Sequence, residues 1–254
     1  MLKKRIIPIQ LLVNERLVKT VQFDSFRDVG NPVASSKVYS NQDADELVFL
    51  NINRENRTLQ PLLSLIEKVS KVCFMPLALG GGIRKLADVE QLIRNGADKV
   101  VINSAAYDTP DLLREASAKF GSQAIMLSVD ARLNKETKAY ELYSDCGRKK
   151  ENGSLADHIK RSLDHGAGEI LINSIDRDGT MTGYDVELIH QVKALSTVPV
   201  IGCGGAGDFS HLKDAFLSTG ADALACGSLF NFGDNNPIRA KAFLSNHGLH
   251  FKVV

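Results

Sequence analysis

The sequence contains an internal repeat with an offset of about 123 residues, and this repeat restricts the possible folds more than any other feature. Four pairs of landmarks share the offset to within one residue: ELVFLNIN (46–53) with EILINSID (169–176), Pro76 with Pro199, Gly81-Gly82 with Gly204-Gly205, and Ser104 with Ser228. We interpret the chain as a single domain over residues 1–254, built from two similar halves of about 1–120 and 121–254.

Short apolar runs alternate with longer amphipathic segments in both halves. The runs are rich in Val, Ile and Leu without regular polar alternation, which is typical of parallel strands covered on both faces. Eight such runs lie at 5–12, 46–52, 76–80, 99–103, 124–130, 169–174, 198–203 and 223–227, and helical patterns lie between them at 57–71, 84–95, 109–120, 154–166, 185–194 and 208–219. Eight strand–helix units predict an α/β fold, a (β/α)₈ TIM barrel of two half-barrels. A doubly wound open sheet is the alternative, although it would not explain two matching halves.

Charge and cysteine content exclude several classes of function. The chain has 31 Lys+Arg and 30 Asp+Glu, so it lacks the general excess of positive charge that a nucleic-acid partner would favour. No apolar run approaches the length of a membrane span, and the charged N-terminus is not followed by a signal-peptide cleavage pattern. The four cysteines show neither C-x-x-C spacing nor histidines at metal-ligand spacing. We therefore expect reduced thiols in a cytoplasmic protein with no metal site.

Two glycine clusters are the most specific local signal. Gly80-Gly81-Gly82 follows the third predicted strand and the GGAG segment at 204–207 follows the seventh. Glycine allows the backbone to approach an oxyanion closely, and backbone amides then bind it. The next strand of each half ends at Asn103-Ser104 or Gly227-Ser228, which adds hydroxyl groups. The pattern predicts a small-molecule ligand with a phosphate at each end, and the alternative is that the glycines only permit tight turns. Neither cluster has GxGxxG spacing, so no dinucleotide and no other cofactor is predicted.

Carboxylates near the strand ends are the acid–base candidates. Asp130 ends the fifth strand, and Asp176 and Asp178 follow the sixth, where either could instead cap a loop or helix. Long segments at 13–30 and 131–153 follow the first and fifth strands, and loops of this size are usually lids or binding loops. The second contains KAYELYS (138–144), which reads as an additional strand.

Over almost its whole length the sequence resembles the cyclase subunit of imidazole glycerol phosphate synthase, a lyase of histidine biosynthesis. The matching segments are KRII (4–7), Lys19, DELVFL (45–50), GGGI (80–83), GADKV (96–100), FGSQA (120–124), GAGEI (166–170), SIDRDGT (174–180), GYD (183–185) and GGAG (204–207). Each motif alone is weak, but together they are specific. The resemblance implies a barrel that binds a ribonucleotide with two phosphates and receives ammonia through its core from a glutaminase subunit in a heterodimer.

The resemblance also assigns site residues. It implies phosphate contacts at Gly81, Gly82, Asn103, Ser104, Asp176, Gly179, Gly204, Gly205 and Ser228, and catalytic or substrate contacts at Lys19, Asp130 and Asp176. It implies an ammonia gate at the barrel floor formed by Arg5, Glu46, Lys99 and Glu169. Two bases and two acids at the amino ends of four strands would also neutralise each other, so a simple salt-bridged plug is the alternative for this ring.

One departure from the family pattern affects the chemistry directly. Family cyclases use an aspartate at the end of the first strand together with the one at Asp130, but here the first position is Leu11. The nearest polar side chain, Gln10, should point away from the barrel interior unless Pro8 causes a bulge. Asn51 likewise stands where the family usually has an aspartate. Leucine cannot transfer a proton, so the cyclase pair is predicted to be broken.

The sequence therefore favours a paralogue that delivers ammonia for amidation or amidination of a nucleotide-linked sugar in surface-polysaccharide synthesis. That role would add a sugar amidotransferase as a further partner. A working histidine-pathway cyclase that tolerates Leu11 is one alternative, because Asp130, Lys19 and SIDRDGT are present. A noncatalytic scaffold that only activates its glutaminase is the other.

Overall fold

The computed structural model describes residues 3–55 and 57–252, so the outermost residues of the predicted domain lie outside it. The strands are β1 (Arg5–Val13), β2 (Arg16–Thr20), β3 (Phe26–Gly30), β4 (Leu47–Asn51), β5 (Leu77–Gly80), β6 (Lys99–Ile102), β7 (Ile125–Leu133), β8 (Tyr140–Ser144), β9 (Lys149–Lys150), β10 (Glu169–Ser174), β11 (Val200–Cys203) and β12 (Ala223–Cys226). The helices are α1 (Pro32–Asn41), α2 (Gln60–Val69), α3 (Leu86–Arg94), α4 (Ser104–Asp108), α5 (Asp111–Phe120), α6 (Leu155–Asp164), α7 (Val186–Leu195), α8 (Phe209–Thr219), α9 (Ser228–Asn231) and α10 (Pro237–Ser245).

Eight of these strands form a closed parallel barrel. Their order is β1-β4-β5-β6-β7-β10-β11-β12, and β12 pairs in parallel with β1 to complete the circle. The predicted (β/α)₈ TIM barrel is therefore confirmed. Closure removes every unpaired edge of the parallel sheet. Helices cover the outer face of the barrel and side chains fill its interior, so the strands need no polar face.

Side chains of the barrel strands alternate between two apolar clusters. Ile7 and Ile9 of β1 belong to the cluster inside the barrel, while Ile6 and Leu12 pack outward against the helices. The interior cluster also includes Val48 and small side chains, which leaves the carboxyl ends of the strands open. Alternation along each strand thus determines which side chains can reach a ligand at that end.

Both long segments at the mouth of the barrel contain strands. Residues 140–144 form β8, antiparallel to the end of β7, so the predicted strand in the second segment is confirmed. The first segment was expected to be a loop from residue 13, but β1 continues to Val13 and then pairs with a hairpin of β2 and β3. Residues of this hairpin, among them Lys19, Thr20 and Phe23, line the cavity at the mouth of the barrel.

Predicted helices are present with small differences in their ends. The segment predicted at 57–71 is helical only over α2, because Pro61 lies in the first turn and favours a helix start there. Gly121 and Gly220, each with a positive φ, cap the carboxyl ends of α5 and α8. Within the described residues, no helix is long and apolar enough to cross a membrane.

Candidate active site

A cavity of about 440 Å³ opens at the carboxyl ends of the barrel strands. It is lined by Lys19 and Asp130 and by all predicted phosphate-contact residues except Asp176: Gly81, Gly82, Asn103, Ser104, Gly179, Gly204, Gly205 and Ser228. Residues from both half-barrels and from the β2–β3 hairpin therefore meet at one place. This is the end of the barrel at which enzymes of this fold carry their active sites.

The two glycine loops have equivalent backbone geometry. Gly81 and Gly204 have φ values of +100° and +94°, in the region that favours glycine. A Cβ on Gly81 would collide with the carbonyl oxygen of Asn51, and a Cβ on Gly204 would approach that of Ser174. Asn51 and Ser174 are related by the same 123-residue offset. The repeat in the sequence is thus a repeat of main-chain contacts.

The loops that follow β6 and β12 are equivalent as well. Asn103 has φ −117° and ψ −84°, and Gly227 has φ −108° and ψ −80°, each just before a short helix. Those helices begin with Ser104 and Ser228, whose side chains line the cavity. In the described part of the chain, the backbone amides of Gly82 and Gly205 donate no hydrogen bond to the protein. They are available to an anion at each side of the cavity.

Lys19 of β2 supplies a buried cation. Lys19 is 6% exposed, and its ammonium group lies against Gly227. A Cβ on Gly227 would overlap the present position of this ammonium group. Among the described residues, no acidic side chain or carbonyl oxygen accepts a hydrogen bond from it. A buried charge without a partner is unfavourable, so an anionic ligand in the cavity would stabilise this arrangement.

Asp130 is the carboxylate in the centre of the cavity wall. Burial raises the pKa of Asp130 to about 7, the negative charge of Asp178 adds to this effect, and a hydrogen bond with Asn173 opposes it. The amide of Asn103 also donates to its carboxylate at 3.1 Å. The oxygen Oδ1 of Asn173 is buried and has no donor among the described residues. A carboxyl with this pKa can exchange protons at neutral pH.

The structure separates the two aspartates of the SIDRDGT segment. Asp176 lies outside the cavity, where its carboxylate accepts a hydrogen bond from the amide of Leu133 at 2.8 Å. Asp178 lines the cavity and accepts hydrogen bonds from Thr20 Oγ1 at 2.6 Å and from the amide of Phe23 at 3.3 Å. Of these two aspartates, Asp178 rather than the predicted Asp176 therefore lines the cavity. Both lie in a turn, where spacing along the sequence does not determine direction.

Leu11 lies in the cavity at the position of the missing acid. Strand β1 pairs continuously with its neighbours over the described residues, without the bulge that could have turned Gln10 inward. Gln10 is 1% exposed and lies outside the barrel against Tyr39. Leu11 is adjacent to Leu50 of β4, which also lines the cavity. The wall formed by the first half-barrel is therefore apolar where the second half-barrel presents Asp130.

Asn51 shapes the loop beside the first glycine cluster. Its side chain donates to the carbonyl of Thr58 at 3.3 Å and accepts from the amide of Asn53 at 3.1 Å. These bonds fix the backbone that Gly81 approaches. A neutral amide can make both bonds, whereas a carboxylate could only accept.

The barrel floor carries a closed ring of four charged side chains. Arg5 donates to Glu46 at 3.0 Å and also to Glu169, while Lys99 donates to Glu46 at 2.8 Å and to Glu169 at 2.6 Å. Burial raises the pKa of Glu46, although Lys99 opposes this. Burial alone would lower the pKa of Arg5, but Glu169 and Glu46 outweigh it and the pKa is raised. The structure thus brings together the four residues predicted at the gate.

The β8–β9 hairpin covers one side of the cavity. Asp145 forms ion pairs with Arg57 and, at 3.0 Å, with Arg148, and its amide donates to Ser104 Oγ at 3.2 Å. None of these contacts was predicted from the sequence. The hairpin is held directly beside the first glycine loop.

Comparison with known protein families agrees with this geometry. A family described as "Histidine biosynthesis protein" matches residues 5–236. The matched range includes all eight barrel strands, both glycine loops, Asp130 and the floor ring. The protein therefore belongs to this family of histidine biosynthesis proteins.

Proposed function

We propose that this protein is a bis-phosphate-binding barrel of the cyclase-subunit type that receives ammonia from a glutaminase partner but no longer performs the cyclisation itself. The observation that carries the proposal is the side chain of Leu11, which lines the cavity in place of a carboxylate. The ammonia would serve a separate enzyme that amidates or amidinates a nucleotide-linked sugar. This role follows from the resemblance, and the structure is compatible with it.

Binding of a ligand with two phosphates is supported by the two equivalent loops. Gly82 and Gly205 lie on opposite sides of one cavity with amides that donate to no acceptor among the described residues, and Ser104 and Ser228 add a hydroxyl on each side. The ammonium group of Lys19 lies against Gly227, in the loop after β12, and has no ion-pair partner within the residues that the structure describes. Anions bind well where amides and a buried cation converge, since each hydrogen bond is then charge-assisted.

Delivery of ammonia from the floor is supported by four observations. The ring of two bases and two acids carries no net charge, and the layer above it consists of small and apolar side chains. Glu46 Oε1 is buried and has no donor among the described residues, so it can accept a hydrogen bond from a small N–H donor. Phe74, which precedes β5 on the same face, is 88% exposed. An exposed aromatic residue at the end of the barrel that carries the charged ring fits a protein partner.

Asp130 alone is insufficient for a step that needs two proton-transfer groups. Its pKa near 7 allows it to accept or donate a proton at neutral pH. Leu11 can neither hold a proton nor stabilise a developing charge on the other side of the ligand. The cavity therefore binds and orients a ligand without the second carboxylate that cyclisation uses.

A working cyclase is the second candidate, and Asp178 is the observation that favours it. Its carboxylate reaches the same cavity and raises the pKa of Asp130, so two acids are present despite Leu11. Asp178, however, is already engaged by Thr20 and by the amide of Phe23. We therefore place it as a residue that holds the hairpin over the mouth.

Turnover of the bis-phosphorylated ribonucleotide of the histidine pathway, with excess ammonium, tests the proposal. Ligand binding is measured in parallel by calorimetry for the wild type, Asp130→Asn and Leu11→Asp. We expect binding without turnover in the wild type, and turnover in Leu11→Asp at least about 10²-fold above it, as general acid–base catalysis supplies. Wild-type turnover abolished by Asp130→Asn would instead establish the working cyclase. Absence of ligand binding would contradict both candidates and leave glutaminase activation as the function to measure.

A further inference from the structure

The order of the barrel strands places the two glycine loops on opposite sides of the cavity. The first anion site follows β5 and β6, and the second follows β11 and β12. Around the closed circle, β1 and β4 fill one of the two gaps between these sites, and β7 and β10 fill the other. A ligand that joins the two sites must therefore pass between a β1–β4 wall and a β7–β10 wall.

The β7–β10 wall presents hydrogen-bonding side chains to the cavity. Asp130 of β7 and Asn173 of β10 are partners in the parallel register, and both line the cavity. Ser128 of β7 lines it as well, and the amide of Asn103 donates to Asp130 at 3.1 Å. Polar groups of a ligand that face this wall can therefore exchange their hydrogen bonds to water for hydrogen bonds to the protein.

The β1–β4 wall is apolar at the corresponding level. Leu11 of β1 and Leu50 of β4 are partners in the parallel register, and both line the cavity. Asn51, the last residue of β4, also reaches the lining, but its side chain is hydrogen-bonded to Thr58 and to Asn53. A polar group of a ligand that faces Leu11 and Leu50 would lose its water without gaining a partner, which is unfavourable.

The internal repeat relates the two walls to each other. Leu50 and Asn173 correspond at the offset of 123 residues, and the strand-end residues Leu11 and Asp130 correspond at an offset of 119. Both leucines thus have a polar counterpart, although the glycine loops at the two ends of the cavity have equivalent backbone geometry. The cavity therefore has similar ends and dissimilar sides.

From this asymmetry we propose that Leu11 and Leu50 select among bis-phosphates by the segment that joins the two phosphates. This segment carries its polar groups along one edge and only hydrocarbon along the other. The polar edge faces Asp130 and Asn173, and the hydrocarbon edge packs against Leu11 and Leu50. The inference rests on the proposed function, because it uses both glycine loops as anion sites.

Calorimetric titration with matched pairs of bis-phosphates tests the proposal. Octanediol, undecanediol and tetradecanediol bisphosphates have as many backbone atoms as the bisphosphates of tri-, tetra- and pentaethylene glycol, respectively. Each pair therefore differs only in ether oxygens that replace methylene groups, and the series covers a range of spans between the anion sites. The bis-phosphorylated ribonucleotide of the histidine pathway, titrated in parallel, reports separately on phosphate binding.

Paired leucine substitutions change the chemistry of the wall with little change in side-chain size. Leu11→Asn/Leu50→Asn gives the β1–β4 wall the amide groups that Asn173 provides on the other side. The matched control, Leu195→Asn/Leu217→Asn, makes the same exchange at two exposed leucines of α7 and α8 that do not line the cavity. Urea unfolding shows whether each variant is folded, and Leu11→Asn alone replaces the double variant if that one is not.

We expect the wild type and the control to bind the best-fitting alkanediol bisphosphate about tenfold more tightly than its glycol counterpart, because burial of about two methylene groups supplies roughly this factor. The ratio should fall below about twofold in Leu11→Asn/Leu50→Asn and to about threefold in Leu11→Asn.

Three results would overturn this inference alone: equal affinities within every pair in the wild type, a tenfold preference that survives the leucine substitutions, or binding of the ribonucleotide without binding of any alkanediol bisphosphate. Failure of every bis-phosphate to bind, the ribonucleotide included, would overturn it together with the phosphate-binding part of the proposed function.

Discussion

Replacement of Asp130 by Asn should stabilise the protein, and the gain should grow with pH. Burial raises the pKa of this carboxyl from its ordinary value of 3.8 to about 7. The folded state therefore binds a proton more tightly than the unfolded state does. The cost of ionising Asp130 in the folded protein is absent below pH 3.8, increases between the two values, and is complete above pH 7.

The magnitude follows from the two pKa values. Each tenfold difference in proton affinity is worth about 1.4 kcal/mol, so ionised Asp130 costs about 4 kcal/mol at high pH. About 3 kcal/mol of this appears between pH 5 and pH 8. Asparagine has nearly the same shape, carries no charge, and can still accept the hydrogen bond that the amide of Asn103 donates at this position.

Urea unfolding at pH 5, 6, 7 and 8 measures this effect. The difference in the free energy of unfolding between Asp130→Asn and the wild type should widen by about 3 kcal/mol across the series. The exposed Asp164 of α6 provides a matched control, because its change to asparagine removes one carboxylate without touching the cavity. A difference between Asp130→Asn and the wild type that does not vary with pH would refute the argument from burial.

Two further predictions concern stability at the floor and in the first loop. Lys99→Met leaves two buried carboxylates to share Arg5, so it should lower the free energy of unfolding by about 3 kcal/mol. The double variant Lys99→Met/Glu169→Gln should recover at least half of this loss. A loss below about 1 kcal/mol in urea unfolding of Lys99→Met would contradict a structural role for the ring. Gly81→Ala should lower the free energy of unfolding by at least about 2 kcal/mol, because alanine would have to adopt a positive φ and its Cβ would collide with the carbonyl oxygen of Asn51. Gly220→Ala, with a positive φ but open space, should cost about 1 kcal/mol, and equal losses would show that the contact with Asn51 is unimportant.

The barrel could be predicted from the sequence because its signals are periodic. Parallel strands buried on both faces give apolar runs, and the repeat fixed the number of units in each half. Alternation along β1 also predicted correctly that Gln10 lies outside and that Leu11 lies inside. The residues of the floor ring come together for the same reason, since each precedes or begins a barrel strand.

The contacts at the mouth could not be predicted in the same way. The β2–β3 hairpin turns through Gln22 and Phe23, both with positive φ and neither a glycine, so the usual turn residues are missing. Asp178 rather than Asp176 reaches the cavity because the turn after β10 sets its direction. The pairing of Asp145 with Arg57 joins residues 88 positions apart and depends on how the second hairpin folds over the barrel.

The equivalence of the two glycine loops has an evolutionary consequence. After a duplication, main-chain geometry is inherited by both copies, and it does not depend on which side chains are later exchanged. Gly81 and Gly204 still make corresponding contacts although one half-barrel now has Leu11 and the other Asp130. Backbone geometry of this kind can therefore stay the same in two half-barrels whose cavity walls differ in their side chains. A lineage with this architecture can change its chemistry by single substitutions on the cavity wall while its anchoring points stay in place.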